Sequence, residues 1–479
     1  MTASPDQSPL AGQSFTLTGQ APALDHARLL LESLGATVDA KPVAAESAIA
    51  DWAGSGAMAL TGPAGGPPAL APGAPASALA GALAVFDLLT RARTGATALD
   101  LPGPGLLGER AALAGLSRQA PRSVGGAFRA LRAADGWLGL SLARPDDIAL
   151  LPALTGGDLP SISLAPDSLA REDLSHAARA EGAWRAVSAW LAGRELGPVV
   201  AQARLLGLAA APVPAGPVPV RRPPVLCSPG GPRDHARLDA PLVVDLTSLW
   251  AGPLCAHLLG LAGATIVKVE SRARPDGARA GTPAFFDLLH AGHLSVALDF
   301  GAPDDLAALG RLLARADVVL EASRPRALRQ LGLDAEEYVA AGAVWASLTG
   351  YGRTGEDAQR AGYGDDVAAA AGLVAYCGDA PYPVGDAIAD PLAGAYAAAA
   401  VAAALLSPRG QLLDISMYDV AATAGNATTD PAEVVATGPG TWAVRTAQDL
   451  VPVGPPRARL PRSAAARLGQ HTRAVLAGR

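Results

Sequence analysis

The sequence predicts an α/β protein with a Rossmann-like parallel sheet flanked by helices, together with a smaller α+β domain. In the second half of the chain, short β-branched runs alternate with helical segments, starting with strand 242–247, helix 251–261 and strand 263–270. Such alternation is typical of a parallel sheet with helices on both faces. In the first half, residues 124–143 have the pattern of a β-hairpin with Asp135-Gly136 as its tight turn. This hairpin predicts the smaller domain.

The remaining elements follow in chain order. The first half begins with a strand, helix and strand within 14–40, and then predicts a helix at 81–93 and a strand ending near Asp100. Helical patterns continue from the hairpin to about residue 208. Further strands of the large sheet are predicted at 294–299, 317–321, 343–349 and 411–416, with a helix at 304–316. Residues 425–460 are turn-rich without a clear pattern, and the last dozen residues are predicted to be helical.

A dense set of prolines and glycines predicts one main boundary. These residues fill 211–240, which is typical of a linker. We therefore expect a first half at 1–210, a linker at 211–240, a second domain at 241–425 and a C-terminal tail at 426–479.

Composition narrows the classes of function. The net charge of −6 and the pI near 5.7 argue against a nucleic-acid partner. Cys227, Cys255 and Cys377 lie far apart without CxxC spacing, so no disulfide framework is expected and a reducing cytoplasm is the simplest compartment. Residues 1–13 lack the layout of a signal peptide, and the apolar run 395–406 is too short and alanine-rich to span a bilayer. We expect no membrane association.

The dipeptide Asp390-Pro391, at the head of that apolar run, has two interpretations. An Asp before a Pro predicts a helix start, with Asp390 as the N-cap and Pro391 as the first helical residue. The same position suits a nucleophile, because the N-terminal end of a helix favours an ionised carboxylate. Asp386, four residues earlier, is the competing candidate. Taken alone, the dipeptide leaves both interpretations open.

The segment around Asp390 has a fainter copy in the first half. Residues 77–100 align with 390–414, and this alignment places Ser77 where Asp390 stands. If the chain contains a duplication, its first copy lacks the carboxylate.

Several common catalytic motifs are missing from the sequence. The turn 248–253 contains no G-x-G-x-x-G, so the unit 242–270 is not prepared for a dinucleotide pyrophosphate. The sequence also contains no P-loop, no G-x-S-x-G elbow and no His/Cys/carboxylate cluster at metal-ligand spacing. His290 and His293 are the only closely spaced histidines.

The order of motifs in 242–420 resembles the class III CoA-transferase family, which includes formyl-CoA and carnitine CoA-transferases and α-methylacyl-CoA racemase. The matching segments are 245–253, 263–270, 295–299, 316–325 with 331–332, 347–352, 389–394 and 410–416. Residues 77–100, 124–210 and 468–472 resemble later parts of the same family. The chain therefore resembles a rearranged, shortened tandem.

This resemblance implies a function and a set of site residues. Asp390 falls on the family's nucleophile, which accepts CoA from an acyl-CoA thioester and passes it to a carboxylic acid without a metal. Backbone of Gly378 or Gly385 is a candidate oxyanion donor. CoA contacts are expected from positions that match or lie near CoA-facing segments: Ser248, Leu249, Arg272, His293, Arg324, Arg329 and Tyr363. A homodimer is expected, although the fused halves could supply both sides of a site within one chain.

Two alternatives remain from the resemblance. An acyl-CoA racemase or epimerase needs a histidine near 364–366, and none is present there. A catalytically silent CoA-binding subunit is the other alternative, because the family's basic block appears here as 290–295 with two histidines and no lysine or arginine.

Overall fold

The computed structural model describes residues 8–44, 47–158, 176–233, 240–427, 429 and 431–478. The strands are β1 Ser14–Gln20, β2 Thr37–Ala44, β3 Phe128–Arg132, β4 Trp137–Ser141, β5 Ala209–Pro212, β6 Val225–Pro232, β7 Leu242–Asp245, β8 Thr265–Ser271, β9 Leu294–Leu298, β10 Val318–Glu321, β11 Val344–Thr349, β12 Val374–Cys377, β13 Ala380–Pro383, β14 Arg409–Ser416, β15 Glu433–Gly438, β16 Thr441–Arg445 and β17 Leu450–Pro452. The α-helices are α1 Ala21–Ser33, α2 Ala48–Gly54, α3 Pro75–Thr94, α4 Glu109–Ala114, α5 Pro145–Ala149, α6 Leu151–Thr155, α7 His176–Leu191, α8 Leu196–Leu206, α9 Ala251–Leu261, α10 Pro283–His290, α11 Pro303–Leu313, α12 Pro325–Gln330, α13 Ala335–Ala340, α14 Gly364–Ala370, α15 Ala389–Leu406, α16 Met417–Gly425 and α17 Thr472–Leu476.

A seven-stranded sheet in the order β6-β14-β11-β10-β7-β8-β9 forms the centre of the second half. All its neighbouring pairs are parallel except β14 with β6. The central strands are buried on both faces, as continuous apolar runs such as Val318–Glu321 require. The predicted α/β fold with a mainly parallel, helix-flanked sheet is confirmed.

The predicted linker contains one strand of this sheet. Strand β6 lies at its edge, where the proline at position 229 costs no ladder hydrogen bond to a further strand. Residues 234–239 of the predicted linker lie outside the described residues. The domain boundaries remain a prediction.

The smaller unit contains the predicted hairpin. Strands β3 and β4 pair antiparallel, and β5 joins β4 to complete a three-stranded sheet. Leu138 and Leu140 of the hairpin pack with α6, α7 and α8 in a separate apolar core. The predicted strand ending near Asp100 is wrong, because residues 95–102 have no regular structure. Residues 433–452 instead form a three-stranded antiparallel sheet whose short strands alternate too weakly to be predicted.

The beginning of the chain repeats part of this architecture. Strands β1 and β2 pair in parallel around α1, as β7 and β8 do around α9. A side chain at Gly81 of α3 would meet α1 at Ala23, and one at Gly394 of α15 would meet α9 at Ala251. Both helices therefore approach their neighbours through a glycine at the same aligned position. This similarity supports the duplication inferred from the sequence.

Helix α15 lies at the centre of the largest core. It packs against α3 and α9, and alanines allow those helices to approach closely. Its length and composition would also allow it to cross a bilayer, but 89% of it is buried inside the fold. Burial of this extent is typical of a core helix.

Candidate active site

Helix α15 begins two residues before the predicted first helical residue, Pro391. Ala389 is its first residue and Ile388 occupies the capping position, so Asp390 is not the N-cap and its side chain makes no capping hydrogen bond. The reason is the end of the preceding turn, where Ile388 already has helical φ and ψ angles of −58° and −27°. The Asp390 carboxylate still lies in the first turn, where the helix dipole favours negative charge.

The Asp390 side chain is partly buried and faces a glycine. A Cβ atom at Gly364 would lie 2.4 Å from Asp390 Oδ2, so only glycine leaves room for the carboxylate there. No side chain or backbone group among the described residues forms a hydrogen bond or ion pair with this carboxylate. The carboxylate is therefore available to a ligand.

Further carboxylates surround Asp390. Asp365 accepts a hydrogen bond from the Ala387 N–H at 3.0 Å. Asp366 accepts from the Ser141 hydroxyl at 2.8 Å and the Tyr363 N–H at 3.0 Å, and its Oδ2 is buried without a partner among the described residues. Both side chains are buried.

This crowding changes the protonation of Asp390. Burial, and then the negative charges of Asp365, Asp366 and Asp386, raise its pKa to about 7, although Arg110 acts in the opposite direction. Burial likewise raises the pKa of Asp365 to about 6 and that of Asp366 to about 7. Burial thus outweighs the helix dipole, which by itself favours the ionised form of Asp390.

Asp386 has a different environment. Its fully buried carboxylate forms a bidentate ion pair with Arg110 of α4, through Nη2 and through Nε at 2.9 Å. The Arg110 guanidinium also lies 5.3 Å from the centre of the Trp250 ring. Of the two aspartates proposed from the sequence, Asp386 is thus occupied and Asp390 is free. No sequence signal marks Arg110, which lies 276 residues from its partner.

Most of the expected CoA contacts lie at one edge of the large sheet. Ser248 and Leu249 follow β7, Arg272 follows β8, and Arg324 follows β10. Because these strands are parallel neighbours, their carboxyl ends meet at the same edge, where α/β sheets bind ligands. Tyr363, after β11, belongs to the same edge.

Arg324 lies within a group of cations at this edge. Its pKa is lowered by burial and by the positive charges of Arg144, Arg326 and Arg274. The Gly207 carbonyl accepts a hydrogen bond from Arg144 Nη2 at 3.1 Å, and the Arg324 guanidinium also lies close to Gly207. Gly207 therefore lies between these two arginines.

Three of these cations lack an acidic partner. Arg144 pairs with Asp147 at 2.7 Å, whereas the side chains of Arg274, Arg324 and Arg326 form no ion pair or hydrogen bond with the described residues. We call Arg144, Arg274, Arg324 and Arg326 the arginine cluster. Unpaired, neighbouring guanidinium groups are typical of a phosphate site.

Tyr363 connects the arginine cluster with the carboxylates. Burial raises its pKa, while Arg144 and Arg274 act to lower it, so the ring lies near both guanidinium groups. The next residue, Gly364, is the one that faces Asp390. Tyr363 and Gly364 thus link the arginine cluster and the free carboxylate along the chain.

The other expected contacts are placed differently. His293 precedes β9, at the amino edge of the sheet, and its 7% exposed side chain lies against His290 with their Nδ1 atoms 3.4 Å apart. The structure therefore separates His293 from the proposed CoA edge. Arg329 is exposed and faces Asp334 at 3.5 Å. Arg272, although it lies at the sheet edge, is also exposed and faces Asp305 at 3.6 Å.

The two candidate oxyanion donors are also placed differently from the expectation. The Gly385 N–H donates to the Thr61 hydroxyl at 2.8 Å and is not free, and Gly378 lies in the exposed turn between β12 and β13. Across the described part of the chain, no group of three or more His, Cys, Asp or Glu side chains could hold a metal ion.

Fold and site together define an α/β protein that presents one free carboxylate beside a cation-rich sheet edge. Residues 238–444 match the sequence pattern of CoA-transferase family III. The matched region carries the parallel strands of the large sheet and Asp390.

Curated relatives match the same part of the chain. Succinate–glutarate CoA-transferase of Agrobacterium fabrum is 32% identical over 200 residues, which cover 37% of this chain and 50% of the relative. Succinyl-CoA:glutarate CoA-transferase of Homo sapiens is 33% identical over 181 residues, which cover 35% of this chain and 41% of the relative. The chain thus spans about half the length of the curated relatives it matches, or less.

Among solved structures, a CAIB/BAIF family protein from Brucella suis is 26% identical. Its superposition has a TM-score of 0.39 and covers 44% of this chain and 66% of that one. A hypothetical protein from Mycobacterium tuberculosis is 32% identical with a TM-score of 0.36, covering 41% of this chain and 58% of its own.

Proposed function

We propose that this protein is a CoA-transferase that moves CoA from an acyl-CoA donor to a carboxylic acid through a covalent intermediate on Asp390. The observation that carries the proposal is the Asp390 carboxylate itself. It has no hydrogen-bond or ion-pair partner among the described residues, and it faces Gly364, the residue that follows Tyr363 of the sheet edge. The family match and the names of its relatives agree with this chemistry.

The first half of the reaction loads CoA onto Asp390. A carboxylate oxygen attacks the thioester carbonyl carbon of the donor, and the C–S bond breaks to give a mixed anhydride and CoA thiolate. The thiolate then attacks the Asp390 carboxyl carbon and releases the donor as its carboxylate. Asp390 now carries CoA as a thioester.

The second half repeats these steps in reverse with the acceptor. The acceptor carboxylate attacks the aspartyl thioester, forms a second anhydride and releases CoA thiolate. The thiolate attacks the acceptor acyl carbon, which gives the new acyl-CoA and regenerates the Asp390 carboxylate. No net proton is consumed, so the chain needs only to hold the carboxylate ionised during attack.

The elevated pKa suits this role. A carboxylate with a pKa of about 7 is ionised in a substantial fraction of molecules at neutral pH. It is also more basic than an ordinary aspartate, and nucleophilicity rises with basicity. Burial therefore increases the reactivity of the ionised fraction.

The arginine cluster is the proposed phosphate-binding part of the CoA site. Planar guanidinium groups bind phosphate oxygens in pairs, and three of these groups have no competing acidic partner. Ser248, Leu249 and Tyr363 would complete the site at the same edge. Leu249 is 43% exposed at a φ of +70°, so its apolar side chain is presented outward.

The partners follow from this proposal. The substrates are an acyl-CoA and a carboxylic acid, with succinyl-CoA and glutarate as first probes because relatives are named for them. A homodimer and a cytoplasmic location belong to the same proposal. Contacts from Arg110 and Arg144 also allow the two halves of one chain to build a complete site.

The test measures transfer directly. Succinyl-CoA and a panel of dicarboxylic acids are incubated with the protein, and new CoA thioesters are followed by liquid chromatography and mass spectrometry. We expect a new thioester with the wild type and none with Asp390→Asn. A protein that binds CoA but forms no thioester would instead be a silent subunit, and α-proton exchange in D2O without transfer would indicate a racemase.

A further inference from the structure

The turn that precedes Asp390 is held by three contacts with distant residues. The Gly385 N–H donates to the Thr61 hydroxyl at 2.8 Å, the Asp386 carboxylate pairs with Arg110, and the Ala387 N–H donates to Asp365 at 3.0 Å. Three successive residues of the turn therefore each have a partner outside it. We call Thr61, Arg110 and Asp365 the turn anchors.

Two of the turn anchors come from the first half of the chain. Thr61 follows a short 3-10 helix, Met58–Leu60, and is fully buried, with its hydroxyl donating to the Ala57 carbonyl at 2.9 Å. That donation directs an oxygen lone pair towards the Gly385 N–H. Thr61 lies 324 residues from Gly385, outside the region that matches the family.

The turn has a conformation that needs such support. Ala387 has a φ of +45°, in the left-handed region that residues with a side chain seldom adopt. Strained backbone of this kind persists where surrounding contacts fix it, and it concentrates at functional sites. The Ala387 carbonyl in turn accepts from the Asp390 N–H at 2.9 Å. Displacing Ala387 would therefore displace the start of α15.

We propose that the first half of the chain, although it has Ser77 in place of a nucleophile, positions Asp390 through the turn anchors. Thr61 and Arg110 are positioning residues that fix the turn 385–388 and so aim the carboxylate at the thioester. This inference rests on the proposed function. It assigns the first half of the chain a direct part in the reaction rather than a role in stability alone.

Thr61→Val tests the proposal, because valine keeps the shape of threonine but cannot accept the Gly385 hydrogen bond. We expect kcat for CoA transfer to fall about 10- to 100-fold, since small misplacements of a reacting group have effects of this size. The Kd for CoA should stay within about twofold, as the arginine cluster is untouched. Thr61→Ser, which restores the hydroxyl, should recover at least half of the lost activity on a logarithmic scale.

Thr155→Val is the matched control. Thr155 is also buried, and its hydroxyl donates to the carbonyl four residues earlier at 3.0 Å, as that of Thr61 does, but it lies in the smaller unit. Thr155→Val should lose stability like Thr61→Val and keep the wild-type kcat. If Thr61→Val does not fold, Thr61→Cys, a weaker acceptor of similar size, replaces it.

Amide hydrogen exchange of residues 385–390 separates this proposal from the proposed function, because exchange needs no activity. Faster exchange there in Thr61→Val but not in Thr155→Val is expected, and unchanged exchange would overturn the proposal. An inactive wild type would contradict the proposed function while exchange still tests the anchors. Faster exchange with an undiminished kcat in an active enzyme would show that the turn does not position Asp390.

Discussion

Arg110 forms a bidentate ion pair with Asp386, although the two residues are 276 positions apart in the sequence. Asp386 lies four residues before Asp390, whose carboxylate is free. Asp386 is fully buried, whereas 29% of the Arg110 side chain is exposed. Among the carboxylates around Asp390, Asp386 is therefore the one whose charge is neutralised by an ion pair. The pair also places a positive charge near Asp390 without forming a bond to it.

Removing the cation should change both stability and the pH profile. Arg110→Gln leaves Asp386 buried without its partner and should lower the free energy of unfolding by about 3 kcal/mol. Because Arg110 lowers the pKa of Asp390, its loss should move the acid limb of kcat/KM to higher pH. Urea unfolding and initial rates between pH 5 and pH 9 measure the two effects.

The double variant Arg110→Gln/Asp386→Asn is the control for that experiment. It removes both charges of the pair, so it should be more stable than Arg110→Gln alone. Equal stabilities of the two variants would show that the ion pair does not matter to the buried turn.

Asp390→Asn should be more stable than the wild type at high pH. The pKa of Asp390 is raised from 3.8 to about 7, so the folded protein holds a proton that the unfolded chain releases. Wild-type stability therefore decreases as the pH rises from about 4 to about 7, and asparagine avoids this loss. We expect an advantage on the order of 4 kcal/mol at pH 8 that disappears near pH 4. Asp379→Asn, on an exposed turn, should show no such trend in urea unfolding.

Arg324→Gln and Arg144→Gln should each raise the KM for acyl-CoA about tenfold, because each removes a phosphate-binding guanidinium. The effect should shrink as salt increases, since screening already weakens the contact in the wild type. Arg28→Gln removes an exposed arginine paired with Glu32 and serves as the control. An unchanged KM in both cluster variants would remove the arginine cluster from the CoA site.

His293→Gln should leave the KM for acyl-CoA unchanged and make the fold less sensitive to acid. Burial, and then the charge of Lys268, lower the pKa of His293 to about 4. The unfolded chain therefore binds a proton below about pH 6.5 that the folded chain refuses, and stability is lost as the pH falls towards 4. Urea unfolding at pH 7 and pH 5 should show a smaller loss for the variant. A several-fold rise in the KM for acyl-CoA would instead indicate that His293 contributes to the CoA site.

The parts predicted from the sequence are those encoded by local patterns. The strand Val318–Glu321 and the Asp135-Gly136 turn are each determined by their local sequence. The sheet and the hairpin could therefore be predicted. Asp390 could be identified from the sequence for the same reason, because it lies within a recognisable local motif. The first residue of helix α15 could not be predicted, because it depends on the left-handed conformation of Ala387.

The remaining parts of the site depend on contacts between the two halves of the chain. Thr61, Arg110 and Arg144 occur in alanine-, glycine- and proline-rich surroundings without periodicity or motif. The partners of Thr61 and Arg110 lie 324 and 276 residues away, so no local pattern indicates these contacts. The raised pKa of Asp390 could not be predicted from the sequence for a related reason, because the neighbouring carboxylates come together only in the folded chain.

The most direct measurement of the central claim is chemical trapping on Asp390. The protein is incubated with succinyl-CoA and hydroxylamine, which converts an aspartyl thioester or anhydride to a hydroxamate, and the modified residue is mapped by peptide mass spectrometry. We predict a hydroxamate on Asp390, its loss in Asp390→Asn, and its retention in Thr155→Val. Active transfer with no modification of Asp390, or with the hydroxamate on Asp386, would contradict the assignment.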